Sequence, residues 1–171
     1  DTQRPFEVRF HEADTRSHAC LYENKVLEVW SVPLRHRIPC TGYLFREKVP
    51  PLNVRRDAVE RYGLGIAQCV AAKRGEDVAV DTENGPLLLP NAEIAYRPYE
   101  PRSYAYLSDT LYSAKAASLV RGADLLYHEA TFADADRALA RQTGHSTTLQ
   151  AAKAALAAGA ERLLIGHFSA R

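Results

Sequence analysis

Cysteine, methionine and long apolar runs are scarce or absent in this 171-residue sequence. The three cysteines, Cys20, Cys40 and Cys69, are odd in number and widely spaced, which argues against a disulfide framework and favours reduced thiols in a cytoplasmic protein. No apolar run is long enough to cross a bilayer, so we expect no membrane association. Methionine is missing even from the first position, and we therefore expect the sequence to be a piece of a longer protein.

The composition is that of a folded protein with an ordinary balance of charge. Apolar residues make up 46% and charged residues 25% of the chain, which argues against disorder and for a domain with a core. The net charge is only +1, but basic residues are frequent in the first half of the chain. A nucleic-acid-binding face would explain them, and so would an ordinary solvated surface. The basic residues in question are Arg35, Arg37, Arg46, Lys48, Arg55, Arg56, Arg61, Lys73 and Arg74.

The first 48 residues contain the short alternating runs of an antiparallel sheet. We predict strands at 6–10, 19–23, 26–32 and 42–47. His36 follows the third of these strands and lies between two arginines, which is a poor place for a core residue. On its own it is as consistent with a surface histidine as with a ligand.

Proline and glycine interrupt the pattern from residue 49 to residue 102. The sequence predicts one short helix at 53–63, ending at Gly63, a hairpin at 78–90 and a linker rich in proline and tyrosine at 96–104. Such a stretch inside a compact domain is typically functional or mobile.

The last third of the chain alternates short apolar strands with amphipathic helices. We predict helices at 110–120, 133–142 and 147–159, the last of them capped by Ser146 or Thr147. The alternation indicates a parallel βαβαβ segment. Together with the preceding antiparallel strands, it predicts an α/β fold of the α+β sandwich type.

Polar side chains follow the apolar strands of this segment. Because the carboxyl ends of parallel strands share one edge of a sheet, Asp109, Glu129 and His167 should converge there. Carboxylates and imidazoles at one rim are the usual ligands of a zinc-type site. Each group also has a simpler explanation: Asp109 as a helix cap, His167 as a core histidine and His145 as a capping or surface residue.

Five blocks of the sequence, taken in order, closely resemble ribonuclease Z, a family of zinc-dependent endonucleases that trim the 3′ end of precursor tRNA and have the metallo-β-lactamase fold. The resemblance runs from about residue 6 to the last residue. The blocks are PLRHRIPCTGYLFREK (33–48), SDT (108–110), HEATF (128–132), GHST (144–147) and IGHFSAR (165–171).

The resemblance implies a catalytic role for particular residues. Asp109 matches a carboxylate that bridges two zinc ions, with manganese as an alternative metal. His145 matches a proton donor to the leaving 3′ oxygen, and Glu129 matches the carboxylate that orients it. The matches to metal ligands are His36, Asp109 and His167, and the matches to phosphate or RNA contacts are Ser169 and Arg171.

One signature of the family is absent, because no two histidines are separated by a single residue, as a His-x-His-x-Asp-His motif requires. We therefore interpret residues 1–171 as the C-terminal half of a single metallo-β-lactamase-like domain. We expect this chain alone to bind zinc weakly or not at all and not to cleave precursor tRNA. The resemblance further implies a homodimer and a flexible tRNA-binding arm at 49–102, although the arm's usual Gly-Pro motif is not evident.

Two other functions remain open. The first is another hydrolase of the same fold, such as a phosphodiesterase or an arylsulfatase. The second is a non-catalytic module for RNA binding or dimerisation, which the missing motif favours. Against the second stands the joint presence of His36, Asp109, Glu129, His145 and His167.

Overall fold

The computed structural model describes residues 7–169. Its strands are β1 (Cys20–Glu23), β2 (Leu27–Pro33), β3 (Thr41–Glu47), β4 (Asn53–Val54), β5 (Val78–Thr82), β6 (Gly85–Leu89), β7 (Ala95–Tyr96), β8 (Ser103–Leu107), β9 (Leu125–Glu129) and β10 (Arg162–Gly166). Its α-helices are α1 (Arg56–Tyr62), α2 (Ile66–Lys73), α3 (Asn91–Ile94), α4 (Ala114–Leu119), α5 (Arg137–Thr143) and α6 (Thr148–Ala158). The chain forms two compact units, of which one is Lys48–Pro101 and the other comprises the residues on either side of it.

The larger unit is built on a six-stranded sheet with the order β1-β2-β3-β8-β9-β10. Strands β1, β2, β3 and β8 pair antiparallel, whereas β8, β9 and β10 run parallel. The parallel strands are joined by crossovers that contain α4 and then α5 and α6. This arrangement confirms the predicted α/β class, with antiparallel strands followed by a βαβαβ segment.

Helices α4 and α6 pack against one face of this sheet and form the main core with it. Alternate strand residues lie on that side, and burying each large one contributes about 1.5–3 kcal/mol to stability. The fully buried strand residues include Val32, Leu44, Leu107 and Leu126. The helices contribute the alanines Ala116, Ala117, Ala155 and Ala158, whose small side chains allow close approach to the sheet.

The opposite face of the sheet carries half-buried aromatic rings, which we call the aromatic face (Tyr43, Phe45, Tyr104, Tyr106 and Tyr127). Strand register puts these rings in two neighbouring rows across β3, β8 and β9. Tyr106 and Tyr127 stack with centroids 4.8 Å apart, and Phe45 and Tyr104 stack at 6.0 Å. Burial raises the pKa of Tyr104 and of Tyr127, so both phenols are neutral at physiological pH.

The smaller unit, Lys48–Pro101, has a core of its own. Helix α1 ends at Gly63, which adopts the left-handed conformation with φ 62° and so confirms the predicted stop. Strands β5 and β6 form the predicted hairpin. The buried apolar residues of this smaller unit are Ala58, Leu64, Ala72, Val78, Val80, Leu89 and Ile94.

Several boundaries differ from the sequence predictions. Residues 7–10 form no strand and are exposed, so the strand predicted at 6–10 is wrong over the part that the structure describes; Phe6 lies outside it. Helix α2 was not predicted. The helix predicted at 133–142 is a 3₁₀ turn at Asp134–Asp136 followed by α5.

The helix predicted at 110–120 begins only at Ala114, with Ser113 as its cap, so Asp109 is not a helix cap. The amides of residues 110 and 111 donate to long-range partners near the candidate site instead of taking part in a helix. The Thr110 amide donates to Glu129 Oε1 at 3.0 Å, and the Leu111 amide donates to the Arg35 carbonyl at 2.8 Å. Thr147, by contrast, caps α6 as predicted.

Among residues 7–169, none of the helices combines the length and the apolar character that a bilayer crossing requires.

Candidate metal centre

The three parallel strands bring the candidate residues to one edge of the sheet. Strands β8 and β9 are in register at Leu107 and His128, and β9 and β10 at Glu129 and Gly166, so that their carboxyl ends are level. Asp109 therefore follows β8, Glu129 ends β9 and His167 follows β10 at the same rim. His145 reaches this rim from the turn between α5 and α6. The geometry agrees with the convergence expected for parallel strands.

Asp109, His145 and His167 form a group that can hold a metal ion, since one ligand atom of each lies within 4.8 Å of the others. Asp109 Oδ1 is buried and lies 3.3 Å from His167 Nε2, yet it accepts no hydrogen bond from any described residue. An orphaned carboxylate oxygen facing two imidazoles is costly unless a cation lies between them. The donor set, one carboxylate and two imidazoles, suits zinc.

Glu129 is fully buried and is the hub of the hydrogen-bond network behind this group. Its Oε1 accepts from the Thr110 amide (3.0 Å), the His145 Nδ1 (2.9 Å) and the Ser146 amide (3.1 Å). Its Oε2 accepts from the Thr131 amide (3.0 Å) and the Thr131 hydroxyl (2.8 Å). Glu129 thus accepts five hydrogen bonds, which fix the position of its side chain behind the group.

Thr131 connects the two histidines to this carboxylate and was not singled out by the sequence analysis. Its hydroxyl donates to Glu129 Oε2, so its oxygen accepts from His167 Nδ1 at 2.8 Å and also lies 3.3 Å from His145 Nδ1. With Nδ1 bound to this oxygen, Nε2 is the nitrogen of His167 that faces Asp109 Oδ1, 3.3 Å away, and that is available to a metal. The available signal in the sequence was the position of Thr131, two residues after Glu129.

His145 is oriented from behind by Glu129. Its Nδ1 donates to Oε1, which leaves Nε2 free to face the rim as a ligand or a proton donor. Gly144 allows this placement because it ends α5 in the left-handed conformation, with φ 83°. A Cβ at Gly144 would lie 3.0 Å from His36 Nδ1, so a side chain there would crowd the site.

His36 lies beside the group but is not one of its three members. Its ring centroid is 4.9 Å from that of His145, and its Nδ1 donates to the Gly144 carbonyl at 2.9 Å. Nε2 is therefore the atom that His36 has left for a metal. Its role as a ligand stays a prediction.

His167 is the only non-glycine residue with a positive φ, 62°, in the described part of the chain. Such a conformation costs about 1–2 kcal/mol and persists where neighbouring contacts impose it. Here the Ala130 amide donates to the Gly166 carbonyl at 2.8 Å and the Ser169 amide to the Thr131 carbonyl at 2.9 Å. These bonds hold the segment on both sides of His167.

The remaining predicted contacts lie at the end of the chain. Ser169 is half-buried and adjoins Thr131 through its backbone, whereas Arg171 lies outside the described residues. Near the same rim, burial and the Asp109 carboxylate raise the pKa of Cys40, which keeps this thiol protonated and makes it a poor nucleophile.

Comparison with known proteins agrees with the resemblance. The chain is 43% identical to ribonuclease Z of Parabacteroides distasonis over 167 residues, 98% of this chain and 54% of that protein. It is also 43% identical to ribonuclease Z of Bacteroides fragilis, over 97% of this chain and 54% of that protein. The chain thus spans about half the length of these curated relatives. No protein-family model matches it.

Solved structures show the same relationship. A crystal structure of human tRNase Z, short form, matches 91% of this chain and 42% of its own with a TM-score of 0.54 and 25% identity. The metallo-β-lactamase fold protein YhfI from Bacillus subtilis matches 93% of this chain and 42% of its own, with a TM-score of 0.51 and 15% identity. The chain is therefore homologous to about half of ribonuclease Z and has the metallo-β-lactamase fold.

Proposed function

We propose that this chain is the C-terminal half of a zinc-dependent endoribonuclease that removes the 3′ trailer from precursor tRNA and leaves a 3′-hydroxyl on the tRNA. The observation that carries the proposal is the group of Asp109, His145 and His167 around an orphaned carboxylate oxygen, in a chain 43% identical to ribonuclease Z. The same observation favours a metal enzyme over a non-catalytic module. Precursor tRNA is the substrate by homology with the relatives, and we place the reaction in the cytoplasm.

Asp109 and His167 would hold the metal, with His36 contributing through Nε2. Zinc is the first choice for this donor set and manganese the second. When bound, the metal would polarise the scissile phosphate and acidify a water molecule for attack. Two zinc ions need more ligands than these, and we assign the remaining ligands to a segment that corresponds to the rest of the relatives' length.

His145 would donate the proton that the departing 3′ oxygen requires. Glu129 positions the ring because it accepts from Nδ1, so that Nε2 is the nitrogen that faces the leaving oxygen. Ser169 and Arg171 would contact the phosphate. Lys48–Pro101 corresponds to the predicted arm at 49–102, and its exposed basic residues would bind tRNA; by resemblance this arm serves a second copy in a homodimer.

The test compares two proteins: this chain alone, and this chain joined to the part of a relative that the chain does not match. For each, zinc content and cleavage of a 3′-extended tRNA are measured. We expect little zinc and no cleavage from the chain alone, and both properties from the joined protein. Tight zinc binding and normal cleavage by the chain alone would contradict the proposal. Cleavage of a simple phosphodiester without cleavage of tRNA by the joined protein would instead indicate a phosphodiesterase.

In the joined protein, the variant His145→Gln separates the two possible roles of this residue. As a proton donor, His145 can be replaced with unchanged zinc content and a loss of cleavage of about 10²–10⁴-fold. As a ligand, its replacement would release zinc as well. Asp109→Asn is the matched comparison, because we expect it to lose zinc together with activity.

A further inference from the structure

A pocket of about 360 Å³ with several arginines lies on the larger unit, beside the candidate metal centre. It is lined by Arg35, Leu111, Tyr112, Arg137, Arg141 and Gln150. Sequence and hydrogen bonding connect it to the centre: Arg35 directly precedes His36, and its amide donates to the Thr110 hydroxyl at 3.0 Å. Leu111, which lies two residues after Asp109, donates from its amide to the Arg35 carbonyl at 2.8 Å.

Positive charge exceeds negative charge in this pocket. Arg137 is paired with Asp134 at 2.9 Å, whereas neither Arg35 nor Arg141 pairs with a carboxylate among residues 7–169. A fourth cation adjoins it, because Lys153 Nζ lies 5.0 Å from the centroid of the Tyr112 ring. Cations gathered in this way repel each other unless an anion is shared between them.

We propose that this pocket binds phosphate groups of an RNA strand next to the scissile bond, an inference that rests on the proposed function. Guanidinium groups bind phosphate through two parallel hydrogen bonds, which favours Arg35 and Arg141 as the contacts. Tyr112 adds an aromatic surface on which an unpaired base can stack. The pocket therefore suits a single-stranded segment, such as the end of a trailer, better than it suits a duplex.

The test measures binding of a fluorescent single-stranded RNA to the zinc-free chain by anisotropy over a range of salt concentrations. Each phosphate contact contributes about 0.7 to the slope of log affinity against log salt. We expect Arg35→Gln and Arg141→Gln each to weaken binding and to reduce the slope by about 0.7. Arg121→Gln is the matched control, because Arg121 precedes the amino end of β9, whereas the centre lies at its carboxyl end.

Unchanged slopes in both pocket variants, or no RNA binding by the unaltered chain at low salt, would overturn the inference. Displacement of RNA by inorganic phosphate, but not by chloride at equal ionic strength, would assign the pocket to free phosphate instead. The readout needs neither zinc nor cleavage. If the joined protein cleaves no tRNA but both pocket variants reduce the slope, the proposed function is wrong and RNA binding by the pocket is confirmed. If the joined protein cleaves tRNA and the slopes do not change, only the inference about the pocket is wrong.

Discussion

A single hydroxyl decides which nitrogen of His167 faces Asp109. The Thr131 hydroxyl donates to Glu129 Oε2, and its oxygen lies 2.8 Å from His167 Nδ1 and 3.3 Å from His145 Nδ1, so it is the closer acceptor for His167. A second-sphere partner of this kind presets the ligand nitrogen of a histidine and raises its affinity for a metal. Thr131 thus acts as a positioning residue for the candidate metal centre.

Replacing Thr131 by valine should change the tautomer of His167. Without an acceptor at Nδ1, the proton is better placed on Nε2, where it can donate to Asp109 Oδ1, 3.3 Å away. Long-range ¹H–¹⁵N spectra of the metal-free chain above the titration range of histidine report the tautomer directly. In the joined protein, the same change should lower zinc affinity by about 10–100-fold.

Thr131→Ser keeps the hydroxyl and is the control, with the tautomer of the unaltered chain expected. The same tautomer in the valine and serine variants would show that Thr131 does not set it.

His128 makes the stability of the chain depend on pH. It is 1% exposed, and burial lowers its pKa, partly offset by the bond from Nδ1 to the Glu129 carbonyl at 2.7 Å and by the Glu129 carboxylate. Its neighbours on the adjoining strands, Leu107 and Ile165, offer no compensating charge. The unfolded chain therefore binds a proton at this residue more readily than the folded chain does.

Stability should fall as the pH drops below about 6.5, the value of an unfolded histidine. The loss grows until the pH passes below the lowered folded pKa. Urea unfolding at pH values on either side of 6.5 measures the change. In His128→Asn, which keeps an N–H group but does not titrate, the change should be smaller; an equal change in both proteins would exclude His128 as its source.

At the scale of elements, the strands and helices with strong patterns were predictable. The apolar runs of β8 and β9 and the helix from Thr148 to Ala158 follow from local sequence, since each buries one regular side, and β10 follows from its apolar run alone. Gly63 and Thr147 marked helix ends by their ordinary chemistry. These elements were sufficient to predict that Asp109, Glu129 and His167 meet at one edge.

The elements that sequence reasoning missed depend on distant partners. Helix α2 begins at Ile66, an apolar residue that is exposed, and Gly63 and Gly65 closely precede it. The late start of α4 depends on bonds from Thr110 and Leu111 to residues far away in sequence. The hub at Glu129 is non-local at Thr110 and Ser146, which reach this carboxylate from far away in sequence, whereas Thr131 is a local partner whose spacing of two residues was overlooked.

At the scale of the whole molecule, the two faces of the large sheet differ in how they are covered. Helices α4 and α6 pack on one face, whereas the aromatic face remains half-exposed. An extended apolar surface of this kind marks an interaction site. The chain spans about half the length of its relatives, so the proposed second half is the natural layer to cover this face as it completes the metal centre.

Mixing this chain with the corresponding remainder of a relative should therefore bury the aromatic face. A dye that binds exposed apolar surface should fluoresce strongly with the chain alone and lose that signal in the complex. Phe45→Lys should weaken the association by at least about tenfold, because a buried charge lacks a partner there. Leu156→Lys is the control, since Leu156 is 84% exposed on α6 and α6 packs on the other face. Equal association by the two variants would place the contact elsewhere, and the metal centre would then have to be completed without the aromatic face.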